Sequence, residues 1–162
     1  MSFAPPTSTP GALMFAEAAS AHEAVRTQLR KIGFGALGAR IRALAPRAVA
    51  TCARGSSDHA AAFAKYLFET NAGILTTSVA PSVMSLYRAE TTLKDVLFLI
   101  ISQSGASPDL VAAANEARRA GAFVLALVNA PNSPVAAAAD EVVALCAGAE
   151  RSVAASKSFV AS

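Results

Sequence analysis

The chain is poor in the residues from which metal centres and disulfide frameworks are built. It has two cysteines, Cys52 and Cys146, and two histidines, His22 and His59, among 162 residues. No Cys-x-x-Cys pair and no Cys/His cluster occurs, so no metal site is expected. Each cysteine sits in an apolar run and reads as a free core thiol, which fits a reducing compartment. Charge is sparse as well: Asp, Glu, Lys and Arg make up 15% of the chain, and the net charge is +3. With 54% apolar residues, this balance excludes a disordered chain. Lys and Arg gather between 26 and 47 with Phe34 as the one aromatic among them. That stretch reads as solvated helix faces and not as a nucleic-acid surface. No apolar run approaches the ~18 residues of a membrane span. The opening Met1 to Pro10 has neither a basic start nor an apolar signal core. The cytoplasm is the expected location, and neither a membrane nor a nucleic acid is an expected partner.

What the chain does have is alternation. Ala-rich helical stretches take turns with short Val/Ile/Leu-rich runs, and the length suits one domain with a sizeable core. Residues 1–12, rich in Pro, Ser and Thr, read as a flexible arm. Residues 13–47 read as two helices. The first carries Met14, Ala18, Ala21, Val25 and Leu29 on one face. The second, about 36–45, offers Leu37, Ile41 and Leu44, and Pro46 ends it. Strands are predicted at 48–53, 74–79, 96–102, 123–128 and 142–146. Helices are predicted at 58–70, 81–87 and 107–120, the last with Ser107 as N-cap and Pro108 at its first position. Strands without polar alternation are buried on both faces. Separated by helices, they imply a three-layer α/β sandwich around a five-stranded parallel sheet.

One segment stands out chemically. Ser102-Gln103-Ser104-Gly105-Ala106-Ser107-Pro108-Asp109 packs three hydroxyls and an amide into a turn between the most apolar strand and a helix. Helix N-termini present unpaired N–H groups and a positive dipole end, which suit an anion. The turn holds no Lys or Arg, so neutral donors are expected to bind it. Ligands of parallel sheets sit beyond the carboxyl ends of the strands at a topological switch point. The other Ser-rich loop, Arg54-Gly55-Ser56-Ser57-Asp58, follows the first strand and falls in that region.

Three segments together resemble one family. They are Ala53-Arg54-Gly55-Ser56-Ser57, the octet from Ser102 to Asp109, and Glu150-Arg151-Ser152-Val153-Ala154-Ala155-Ser156-Lys157-Ser158-Phe159. In order and spacing they resemble the sugar isomerase (SIS) domain, a flavodoxin-like phosphosugar-binding domain. The likeness is greatest to the isomerising half of glucosamine-6-phosphate synthase and to glucosamine-6-phosphate deaminases. Met14-Phe-Ala-Glu17 also resembles the Met-x-x-Glu opening of standalone members. The resemblance implies that Ser57, Ser102, Gln103, Ser104 and Ser107 hold the sugar phosphate. It implies that Gly55, Ser56, Val153 and Ala155 line the sugar pocket. The synthase typically carries Ser at the Ala155 position. No cofactor is implied.

For chemistry the candidates are thin. His59 either faces the site or is a surface histidine on the first helical turn. Glu150 either assists acid/base work or caps a helix. Lys157 either reaches a phosphate or makes a structural contact. The resemblance places the acid/base, ring-opening and Schiff-base groups of this family in a second domain or a C-terminal tail. Residues 48–162 are therefore expected to be a first SIS domain cut before a second, forming homodimers and binding glucosamine-6-phosphate or fructose-6-phosphate. Ser2 in place of a nucleophilic Cys favours a deaminase working with free ammonia over a glutamine-fed synthase. A phosphosugar-sensing module and a single-domain isomerase are the competing readings.

Overall fold

The computed structural model describes residues 11–87, 91–152 and 155–162. Five strands form one parallel sheet: β1 (Ala48–Ala53), β2 (Thr76–Ser78), β3 (Val96–Ser102), β4 (Phe123–Val128) and β5 (Glu141–Ala144). Their order is β2-β1-β3-β4-β5, every pairing parallel. This is the flavodoxin-like arrangement, with its switch point between β1 and β3.

The sheet is covered on both faces, and β3 shows why. All seven of its residues are buried. Val96, Phe98 and Ile100 point into one core with α6 (Pro108–Arg119) and α7 (Pro134–Ala138). Leu97, Leu99 and Ile101 point into the other with α3 (Phe34–Leu44) and α4 (Ser56–Leu67). A strand with two apolar neighbours has no polar side to show, hence the unbroken Val-Leu-Phe-Leu-Ile-Ile. The short α5 (Pro81–Ser85) buries Met84 in the first core.

Several boundaries differ from the sequence-based expectation. The first helix is two: α1 (Ala12–Ala19) and α2 (Ala21–Lys31). The Ser20 hydroxyl donates to the Glu17 carbonyl at 2.9 Å, the local competition that interrupts helices at serine. The buried face also differs from the Met14/Leu29 stripe. It comprises Glu17, Ala21, Ala24 and Gln28, whereas Met14 and Leu29 are exposed. His22 is exposed, its Nδ1 2.9 Å from the Ala19 carbonyl. The physical reason is the partner: these helices pack on α8 (Ser156–Ala161) through small side chains, and Gln28 Nε2 donates to the Ala161 carbonyl at 2.7 Å. Helix α4 continues into a π-helical turn, Phe68–Ala72, and β2 is shorter than expected. Cys52 is fully buried, but Cys146 is only half-buried, just beyond β5.

Candidate phosphosugar cleft

At the switch point the chains leaving β1 and β3 diverge. Ala53 and Ile101 are register partners at the carboxyl ends of these neighbouring strands. From there one loop climbs into α4 and the other into α6. Between them lies a cleft of about 390 Å³. Gly55, Ser56 and Ser57 line it from the first loop, and Ser102, Gln103, Ser104 and Ser107 from the second. Ser152 and Ala155 line it from the segment before α8. Val153 lies outside the described residues.

The backbone explains how hydroxyls come to converge here. Gly55 adopts φ 58°, ψ −134°, a conformation for glycine alone, and so turns β1 into α4 within two residues. Gly105 has φ 61°, and a side-chain carbon there would fall on Ser133, 2.5 Å from its Cβ. The Gly105 carbonyl accepts from Val135 N at 2.9 Å, tying the octet to α7. Ser102 Oγ accepts from Gly105 N at 3.0 Å, and Ser104 Oγ accepts from Ala106 N at 3.3 Å. A hydroxyl that accepts a bond keeps its own proton to donate. Ser107 occupies the N-cap position of α6, but its side chain makes no cap hydrogen bond. A side-chain cap is found at α7, where Ser133 Oγ accepts from Ala136 N at 3.4 Å.

The cleft is not free of cations, contrary to the expectation from the octet alone. Arg54 lines it, and its guanidinium pairs with the Asp109 carboxylate in the first turn of α6. The loop that carries Arg54 is expected in this region, but only its Gly55, Ser56 and Ser57 are expected as site residues. Beneath it, burial pushes the Cys52 thiol up to about 12, with the Asp109 and Asp58 charges adding to the shift, so this sulfur is no nucleophile at neutral pH.

The titratable candidates sit apart from this constellation. His59 is exposed and is not among the residues lining the cleft. Glu150 accepts from Lys157 N at 2.7 Å and Ser158 N at 3.2 Å, and also from the Ser158 hydroxyl. It thus caps α8. Lys157 Nζ donates to the Ala149 carbonyl at 2.8 Å. Among the described residues no group of three or more His, Cys, Asp or Glu could hold a metal ion. A larger groove, about 890 Å³, lies between α2, α3 and the β5 edge. Its lining carries Lys31 and Arg40, the latter paired with Glu141, but no serine and no residue of the loops that leave β1 and β3.

A five-stranded parallel sheet with serine-rich loops meeting at its switch point defines an α/β domain with a hydroxyl-lined cleft beyond β1 and β3. The chain belongs to the SIS domain family, whose model matches residues 45–162. It is 42% identical over 133 residues to a glutamine–fructose-6-phosphate aminotransferase (isomerizing) of Symbiobacterium thermophilum, covering 81% of this chain and 21% of that one. A solved protein from Silicibacter pomeroyi assigned as a phosphosugar isomerase superposes with a TM-score of 0.87 at 41% identity, covering 91% of this chain and 46% of that one. The C-terminal domain of glucosamine-fructose-6-phosphate aminotransferase from Francisella tularensis superposes with a TM-score of 0.79 at 26% identity, covering 92% and 44%. The chain thus spans about a fifth of the length of the aminotransferase and under half of each solved chain. Among the described residues no helix is long and apolar enough to cross a membrane.

Proposed function

We propose that this chain is the phosphosugar-binding domain of a cytoplasmic aminosugar-phosphate deaminase or isomerase that works as a homodimer. In this reading the parent protein interconverts glucosamine-6-phosphate and fructose-6-phosphate with release or uptake of ammonia. The observation that carries it is the convergence of Ser57, Ser102, Gln103, Ser104 and Ser107 on one cleft at the switch point. A phosphate dianion needs several donors at fixed positions, and each bond to a charged group contributes about 1.5–3 kcal/mol. Gly55, Ser56, Val153 and Ala155 are assigned to the sugar. The relatives, whose names specify fructose-6-phosphate aminotransferases and a phosphosugar isomerase, support the substrate class. Glu150 and His59, tied to α8 and exposed respectively, are poorly placed for chemistry. Neither is assigned to ring opening or proton transfer.

The binding claim is tested by calorimetric titration with fructose-6-phosphate, glucosamine-6-phosphate and inorganic phosphate. Replacing both Ser102 and Ser104 with Ala is expected to weaken phosphosugar binding on the order of 100-fold, since two charge-assisted bonds are lost. Unchanged affinity would count against the clamp. Ammonia release from glucosamine-6-phosphate by the parent protein tests the reaction. Turnover of another phosphosugar, with none of this one, would reject the substrate and keep the site.

A further inference from the structure

Glu17 is the feature that the cleft chemistry leaves unused. It is buried, 7% exposed, and lies off the Met14/Leu29 stripe that the sequence pattern marks as the apolar face. Its Oε1 accepts from Arg151 N at 2.8 Å, and its Oε2 accepts from Ser152 N at 3.2 Å and from the Ser152 hydroxyl. Ser152 lines the cleft. The chain from Leu145 to Ser152 belongs to no helix or strand, so side chains hold it. Asn129 Oδ1 accepts from Ala147 N at 2.8 Å, and Asn129 Nδ2 donates to the Gly148 carbonyl at 2.7 Å. Lys157 holds the Ala149 carbonyl, and Glu17 holds the end that reaches the cleft. An ionised carboxylate can accept all three of these bonds, whereas an amide presents N–H groups on one side. Helix α1, which carries Glu17, lies outside the residues that the domain model matches.

We propose that Glu17 is a positioning residue of the sugar subsite, so that helix α1 is a working part of the binding cleft. By fixing Arg151 and Ser152, it sets the part of the cleft lining that Ser152 supplies. The phosphate subsite is built from a different stretch, Ser102 to Ser107, anchored through Gly105 to α7. The two subsites therefore depend on different supports. This proposal rests on the phosphosugar reading above.

The test compares the unsubstituted chain with Glu17→Gln and Glu17→Ala, titrating each with fructose-6-phosphate and with inorganic phosphate. Fructose-6-phosphate affinity is expected to fall about tenfold or more while inorganic phosphate affinity stays unchanged, because only the sugar wall loses its support. Unchanged sugar affinity would overturn the proposal, and so would an equal loss for both ligands, which marks general damage. Amide hydrogen exchange supplies an arm that needs no ligand. Arg151 and Ser152 are expected to exchange faster in Glu17→Gln while α4 and α6 keep their protection; equal exchange at 151 and 152 overturns the latch. If the unsubstituted chain binds neither ligand, the functional reading fails, and the exchange result alone decides the latch.

Discussion

Gly105 shows how much of the site rests on single residues. Its φ of 61° and the Ser133 side chain directly opposite leave no room for a Cβ. Gly105→Ala is expected to destabilise the domain by about 2–4 kcal/mol, combining left-handed strain with overpacking. Thermal denaturation checks this, and a melting temperature within a degree or so of the parent would contradict it. The serines on either side were legible in the sequence because a run of hydroxyls between an apolar strand and a Pro-Asp helix start has few other uses. Arg54 was not legible as part of the same cleft. Its proximity to Asp109 arises across 55 residues, through the pairing of β1 with β3. The pair is largely exposed on the Arg54 side, 63%, and so adds little to stability. Its consequence is electrostatic: it partners the Asp109 carboxylate beside the cleft.

At the scale of elements, the strands were read with least error. β1, β3 and β4 begin and end where the sequence places them, since a strand buried on both faces is dominated by apolar residues. The N-terminal helices were read least well. A stripe of Met14, Val25 and Leu29 looked like the buried face, yet Leu29 is 68% exposed. The true face carries Glu17 and Gln28 beside Ala24, because its neighbours offer backbone N–H and carbonyl groups as well as small apolar side chains. No periodicity rule finds a buried face whose task is to satisfy a loop. That task has a pH dependence. The Ser152 hydroxyl, followed by the Arg151 N–H, holds the Glu17 carboxyl below its ordinary 4.5. A carboxyl whose value is lowered on folding stabilises the fold above its unfolded value, and that contribution disappears as the pH falls through the folded one. The stability difference between the native chain and Glu17→Gln is therefore expected to be constant above pH 4.5 and to shrink below it. Denaturant unfolding at several pH values measures it, and a difference independent of pH would exclude an ionised latch.

For the whole molecule, the outer surface is as informative as the cleft. Phe63, Tyr66 and Leu67 share one side of α4 at spacings of three and four, and are 63%, 67% and 46% exposed. Contiguous apolar patches of this kind mark association surfaces. The proposed homodimer is expected in light scattering, and Phe63→Asp is expected to shift it toward monomer. A monodisperse monomer of the unsubstituted chain would contradict the assembly. What the sequence by itself determined was the fold class and the serine-rich turn that lines the cleft. Both are written locally, in apolar runs, in Pro108 and Gly105, and in hydroxyls spaced a few residues apart. What only the tertiary structure decided was the company the turn keeps: Arg54 paired with Asp109, Ser152 in the cleft lining and Glu17 holding Ser152. The physical reason is that a cleft at a switch point is assembled from strands adjacent in space and distant in sequence. The side chains that complete it are chosen by packing across that gap, and no local pattern records the choice.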